Sequence, residues 1–231
     1  MLTNLFDHVV ILGAGGGIGS ALATWHKERG SNDQKLSLFS RKTGFDITSD
    51  HTVSQMAKHI GPPHPASLII NATGFLHNDE FQPEKSLRQL EKDALIHAFL
   101  INAVGPGLLM KHVARVMPRQ HAWTFVTLSA RVGSISDNEL GGWYSYRTSK
   151  AAHNQLLKTA SIEIRRTHPN AILVAMHPGT VATKLSEPFS KTGLDVRQPS
   201  KAANDIMKVI TNLKTTDHGT FIDHKGMPIA W

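Results

Sequence analysis

Short β-branched and leucine-rich runs alternate along the chain with longer stretches whose apolar residues recur every three or four positions. His8 to Leu12 is an apolar run that stops at Gly13. From Gly17 to Arg29, Ile18, Ala21, Leu22 and Trp25 fall at helical spacing, and Gly30 follows as a stop. Lys35 to Phe39 alternates as a second strand, and His51 to Ile60 reads as a short helix. Gly61-Pro62-Pro63-His64-Pro65 then turns the chain into a third strand, Ser67 to Ile70. The spacing of Leu87, Leu90, Ala94, Ala98 and Ile101 predicts a long helix over Ser86 to Ala103, opened by a Ser86-x-x-Gln89 capping box. Ala122 to Leu128 is β-rich, and Tyr144 to Arg166 is a second long helix. Ala171 to Met176 and Thr220 to Ile222 supply further strands, with a helix over Ser200 to Leu213 between them. No hairpin turn joins two runs, so the pattern predicts a parallel sheet with helices on both faces. The expectation is one Rossmann-like, doubly wound α/β domain of about seven strands over residues 1–231.

Composition narrows the partners. The chain has no cysteine, which excludes disulfides and thiolate metal sites and agrees with a reducing, cytoplasmic setting. It has no run of eighteen apolar residues and no cationic leader before its first strand, so neither a membrane span nor a secretory signal is expected. A net charge of +7 raises the question of a nucleic-acid partner. The 25 lysines and arginines are scattered singly or in pairs, however, and aromatics total only 6%. That distribution reads as a solvated basic surface with no nucleic-acid role. The 14 histidines form no H-x-x-x-H or H-E-x-x-H pair, and His177 sits in a strand pattern, so no metal is expected.

The chemistry starts at Gly13-Ala14-Gly15-Gly16-Gly17-Ile18-Gly19, between the first strand and its helix. A pyrophosphate needs backbone N–H groups at a helix N-terminus with no Cβ in the way, and this strand–loop–helix context supplies them. At the end of the second strand, where an acid would bind a ribose 2′-hydroxyl, the chain has Ser40-Arg41-Lys42 and no carboxylate. A guanidinium fork, a hydroxyl and an ammonium suit a 2′-phosphate, so NADP(H) is favoured over NAD(H). Tyr146 and Lys150, four apart in a helical segment, share a face. A free tyrosine has a pKa of ~10. A fixed ammonium beside it is expected to lower that value, fitting Tyr146 to exchange a proton with a carbonyl or alcohol oxygen. Pro106 lacks an N–H, so the carbonyl of Asn102 loses its helical partner.

These motifs, in this order, resemble the short-chain dehydrogenase/reductase family. The glycine spacing G-x-x-x-G-x-G is similar to that family's loop. The resemblance implies cofactor contacts from Asn71-Ala72-Thr73-Gly74, from Asp46-Ile47-Thr48, and from Pro178-Gly179-Thr180-Val181-Ala182-Thr183. It also implies that Lys150 holds the ribose, and that the Asn102 carbonyl holds a water leading protons to the lysine. The family's catalytic serine is ambiguous here. Ala130 occupies the S-x-x-G slot, counting back from Tyr146 points to Ser134, and Ser129 stands second. Ser129 to Ile135 and Leu140 to Lys150 resemble the C-factor branch, which includes sniffer-type carbonyl reductases. The branch implies reduction of an aldehyde, ketone or quinone, or alternatively a dinucleotide-binding signalling or sensor role. A short lid over Lys184 to Gln198, carrying Leu185, Phe189 and Leu194, would cover a permissive apolar pocket, with Trp143 and Tyr144 near it. The family also implies a homo-oligomer, dimer or tetramer, paired through the two long helices. Leu95, Phe99 and Leu156 suit such an interface, and equally a core.

Overall fold

A computed structural model describes residues 5–189 and 196–231. Six parallel strands form one sheet: β1 (His8–Leu12), β2 (Lys35–Phe39), β3 (Leu68–Asn71), β4 (Trp123–Leu128), β5 (Ala171–His177) and β6 (Thr220–Asp223). Their order is β2-β1-β3-β4-β5-β6. Both faces of the central strands are buried, which is why their sequences read as continuous apolar runs. Val9 and Ile11 face α1 (Gly17–Arg29) and α6 (Pro199–Ile210), packing with Leu22, Trp25, Ile206 and Met207. Val10 and Leu12 face the opposite layer. That layer holds α2 (Asp50–His59), α3 (Lys92–Phe99), α4 (Gly105–Val116) and α5 (Tyr144–Thr167).

The sheet has six strands among the described residues, against the expected seven or so. The link from β2 to β3 spans residues 40–67 and holds a 3-10 turn (Arg41–Thr43), a left-handed Gly44 and then α2, with no further strand on the outer side of β2. β2 is therefore an edge, and the strand order reverses between β1 and β3, the position where open α/β sheets bind ligands.

The helix expected from Ser86 begins instead at Lys92. The capping box exists, with Gln89 Oε1 accepting the Ser86 N–H at 3.2 Å, but it closes a 3-10 turn over Leu87–Gln89. Leu90 is extended, and the helix starts anew after Glu91. From Lys92 it runs to Val116 without a break, through a π-helical stretch at Leu100–Val104 where the Gly105 N–H reaches the Leu100 carbonyl. Pro106 can donate nothing to Asn102, and the wider turn accommodates the missing bond. Gly105 has a second reason to be glycine: a Cβ there would lie 2.9 Å from the Ile47 carbonyl oxygen. Lys92–Val116 is long and apolar enough to cross a membrane; here Ala98, Asn102, Leu109 and Val113 are buried in the fold. On its outer side Ile96, Leu100 and Val104 are each exposed by 40% or more, as is Leu156 on α5. Gly107 lies against Leu156, where a Cβ would make an ordinary contact at 3.5 Å from Cδ1.

Candidate active site

The glycine loop sits at the carboxyl end of β1, pressed between its neighbours. Gly13 is left-handed at φ 80°, and a Cβ there would lie 2.8 Å from the Ala72 carbonyl. A Cβ on Gly17 would lie 2.4 Å from Thr183 Cγ2, and one on Gly19 would lie 2.1 Å from the Gly13 oxygen. These contacts draw 13–19, 71–74 and 178–183 to one edge of the sheet. The Gly13 and Ala14 N–H groups donate to the Phe39 carbonyl at 2.8 and 3.0 Å, which seats Ser40 beside Gly15. Gly16, at the N-cap of α1, has no side chain to satisfy the first amides, and that turn carries no acid. The N–H groups of Gly17 and Ile18 thus form an anion-ready helix end next to exposed Arg41 and Lys42. This cradle fits a dinucleotide phosphate.

The other expected cofactor residues have differing roles. Asp46 Oδ1 accepts from the Thr48 N–H and hydroxyl at 2.9 and 2.8 Å, which shapes the turn before α2. Ile47 is buried against Gly105. Asn71 Oδ1 accepts from the Thr73 N–H and hydroxyl, and Nδ2 donates to Thr127 Oγ1 at 3.0 Å. Its side chain braces the strand ends, leaving Ala72 and Gly74 as open backbone. The Pro178–Thr183 loop is held by Arg197, which sequence reasoning missed. Its buried guanidinium donates to the Pro178 carbonyl and, at 2.8 Å, to Asp205 Oδ2. Its own N–H donates to the Thr180 carbonyl at 2.9 Å, and its carbonyl accepts the Ala182 N–H at 2.8 Å. Gly179 is left-handed and lies against that guanidinium. Val181 is buried behind it.

Tyr146 and Lys150 lie one turn apart on α5. Lys150 Nζ donates to the Leu128 carbonyl at 2.9 Å and sits 5.9 Å from the Tyr146 ring centroid. The Tyr146 hydroxyl is committed to no protein partner among the described residues. Asn102 contributes more than a carbonyl. Its side chain accepts the Phe75 N–H and donates to the Phe75 oxygen, both at 2.8 Å, and donates to Ser149 Oγ at 3.1 Å. Ser149 in turn donates to the Tyr146 carbonyl at 2.8 Å. A Cβ on Gly74 would lie 3.6 Å from Asn102 Oδ1 and 3.7 Å from Lys150 Nζ, so these two polar groups converge on that bare backbone. The described part of the lid meets the site through rings: Phe189 lies 5.2 Å from both Trp143 and His77, and Trp143 lies 6.2 Å from Tyr146. Residues 190–195 of the expected lid, Leu194 among them, lie outside the described residues.

Both candidate serines are buried at the end of β4. Ser129 donates its proton to Asn154 Oδ1 at 2.6 Å. Ser134 accepts the Asp137 N–H at 3.2 Å, and its own proton has no protein acceptor among the described residues. Gly133 packs against the Lys150 backbone, where a Cβ would lie 2.9 Å from its carbonyl carbon.

The electrostatics correct one expectation. Burial raises the Tyr146 phenol above its ordinary value instead of Lys150 lowering it, because the ammonium lies over the ring and bonds the Leu128 carbonyl. Burial also brings the Lys150 amine down to about 8. His153, beneath them, is held well below the usual imidazole range by burial and then by Lys150. Its Nε2 pairs with Thr127 Oγ1 at 2.9 Å, linking α5 to Asn71 through one hydroxyl. At the end of β5, His177 is lowered to about 4 by burial, then by the Arg131 and His224 charges.

His177 therefore stays neutral in the folded protein where an unfolded imidazole takes a proton. Its contribution to stability is complete above the ordinary value near 6.5 and is lost as pH falls toward about 4. Urea unfolding at pH 7 and pH 4.5 is expected to show a smaller acid loss in His177→Gln than in the parent, by about 2–3 kcal/mol at most. Equal losses in the two proteins would refute this.

A protein-family model described as short chain dehydrogenase matches residues 7–193. The 1-hydroxy-2-glutathionyl-2-methyl-3-butene dehydrogenase of Rhodococcus sp. (strain AD45) is 27% identical over 96% of this chain and 99% of its own length. The C-signal protein of Myxococcus xanthus is 31% identical over 59% of this chain and 78% of its own. Among solved structures, the NADPH-bound carbonyl reductase from chicken fatty liver superposes with a TM-score of 0.80 at 20% identity, covering 97% of this chain and 94% of that one. The carbonyl reductase Sniffer of D. melanogaster gives 0.76 at 18%, covering 97% and 99%. With its glycine loop, its reversing sheet and a family match over most of its length, the chain belongs to the short-chain dehydrogenase family of oxidoreductases.

Proposed function

We propose that this protein is an NADPH-dependent carbonyl reductase that converts an aldehyde, ketone or quinone to an alcohol, with Tyr146 as proton donor. The observation that carries the reading is the half-buried Tyr146, its hydroxyl uncommitted to protein among the described residues, one helical turn from Lys150, whose Nζ converges with Asn102 Oδ1 on the bare backbone of Gly74. The loop from Gly13 to Gly19 would hold the pyrophosphate. Asp46, Ile47, Asn71, Ala72 and Gly74 would flank the nucleoside, and Pro178, Gly179, Val181 and Thr183 the nicotinamide. When bound there, the cofactor would supply a hydride for the carbonyl carbon. Tyr146 gives the carbonyl oxygen its proton. Burial of the phenol suits this direction, because the proton is kept until an alkoxide, a much stronger base, develops beside it. Below about pH 8, the Lys150 ammonium stabilises the phenolate left behind and meets the ribose hydroxyls. Ser134 polarises the carbonyl, since its proton is available whereas that of Ser129 is given to Asn154. Ser40, Arg41 and Lys42 receive the 2′-phosphate. Ser40 beside Gly15, followed by two exposed basic residues and with no carboxylate at the end of β2, supports NADP(H) over NAD(H).

A second reading has one observation in its favour. The likeness to C-signal of Myxococcus xanthus suits a dinucleotide-binding signalling protein with little turnover. A sensor has no need of an uncommitted proton donor, which favours the reductase. We further propose that the protein pairs with itself through the exposed stripe of Ile96, Leu100, Val104 and Leu156.

Three outcomes are expected. Purified protein should oxidise NADPH with members of a carbonyl and quinone panel, and Tyr146→Phe should lose about 100-fold or more in kcat, within the usual range for removing a general acid. A folded, NADPH-binding protein that turns over nothing would move the assignment to the signalling reading. Arg41→Ala should raise the KM for NADPH by about tenfold, the worth of one charge-assisted contact, and leave that for NADH nearly unchanged. An equal effect on both would remove Arg41 from the phosphate site. In size-exclusion chromatography with light scattering, the parent should run as a dimer or larger and Leu100→Glu as a monomer; a monomeric parent would end the pairing proposal.

A further inference from the structure

Tyr146 is the third residue of α5, within a first turn whose amides have no partners inside the helix. Helix starts fray unless something caps them. The entry to α5 is made by three successive left-handed residues, Gly141 (φ 62°), Gly142 (φ 65°) and Trp143 (φ 52°). Trp143 is the N-cap, and its indole offers no oxygen to the turn. No local residue caps the turn that carries Tyr146.

The cap comes from 61 residues upstream. Glu84 is 3% exposed. Its Oε2 accepts the Ser145 N–H at 3.1 Å, and its Oε1 accepts the Ser145 hydroxyl. Its backbone carbonyl accepts the Trp143 N–H and lies against Gly142, where a Cβ would approach to 3.3 Å. Among the described residues Glu84 is in no ion pair, so this buried carboxylate is balanced by the two Ser145 donors and by the positive end of a 24-residue helix. Glu84, Ser145 and Tyr146 also line one cavity with Phe75, Phe81 and Ala98. The far end of the same loop, at Phe75, is clamped by Asn102.

We infer that Glu84 is a positioning residue for catalysis: its buried carboxylate holds the first turn of α5 and so fixes where the Tyr146 hydroxyl points. This rests on the reductase reading, in which Tyr146 is the proton donor. Both oxygens of the Glu84 carboxylate are taken up by Ser145. Its effect passes through Ser145, the residue adjoining the tyrosine. Releasing that turn leaves the nucleotide cradle untouched and lowers the fraction of time that Tyr146 is aligned.

The test compares the parent, Glu84→Gln, Ser145→Ala and the Tyr146→Phe control with a carbonyl substrate from the panel. Hydrogen exchange of the amides of residues 145–147 and NADPH affinity by fluorescence are measured alongside. Glu84→Gln should lose about tenfold or more in kcat, with the KM for NADPH within about twofold, and its 145–147 amides should exchange faster. Ser145→Ala removes one of the two donors and should shift kcat and exchange the same way, about threefold. If Glu84→Gln fails to fold, Ser145→Ala decides. Parent-like kcat and exchange in the folded variants would overturn the inference. So would a kcat loss matched by equal loss of NADPH affinity, since that is general destabilisation. If the parent shows no turnover dependent on Tyr146, the reductase reading fails, and the exchange data alone then decide whether Glu84 holds this turn.

Discussion

The inward face of α5 carries Ser145, Ser149, Lys150, His153 and Asn154, all buried, where a helix on a sheet would ordinarily present aliphatic side chains. Each is tied to a different part of the fold. Ser145 meets Glu84 in the loop after β3, Ser149 meets Asn102, Lys150 meets the Leu128 carbonyl, His153 meets Thr127, and Asn154 meets Ser129 and Gly133. Leaving any one of these groups unpaired in the interior costs about 1–3 kcal/mol. An apolar interface would tolerate small sliding; this one admits a single seat. The site geometry therefore depends on polar pairing spread along nearly three turns of helix.

The same constraint explains the arrangement around it. Gly133 is bare because the turn after β4 lies directly on the Lys150 backbone, and Gly105 is bare because Ile47 presses into the π-turn below Asn102. With those approaches fixed, Lys150 and Asn102 meet at Gly74, and the dinucleotide cradle on β1, β3 and β5 faces the tyrosine across the sheet edge. The buried amine and phenol are both held toward their neutral forms. The phenol therefore keeps its proton at neutral pH, while Lys150 keeps its charge below about pH 8.

Much of this was legible from the residues. The glycine loop, the Tyr146–Lys150 pair and Pro106 are local signals: their meaning depends on spacing within one turn or one loop. Arg197 and Glu84 were not legible, because their partners lie 19 and 61 residues away and neither has a neighbouring motif to mark it. The Ser86 capping box was read correctly as a cap and wrongly as the start of the long helix, since a 3-10 turn satisfies the same hydrogen bonds. The expected count of about seven strands exceeded the six runs that the pattern itself marked out, and the sheet has six among the described residues. The phenol's shift also ran against expectation. Proximity of Lys150 in sequence says nothing about where its ammonium points, and burial exists only once the chain has folded.

Because β2 is an edge strand, the turn that follows it borders no further strand, and the 3-10 residues Arg41–Thr43 contain no buried side chain. The two ends of the nucleotide cleft are thus built to different tolerances. The reacting end is embedded in interlocked pairs where almost any exchange disturbs several neighbours at once. The end proposed to take the adenosine hangs on a short solvent-facing turn with no buried side chain to repack. On the proposed assignment of that turn to the 2′-phosphate, coenzyme choice becomes a trait that mutation can retune while the chemistry stays fixed.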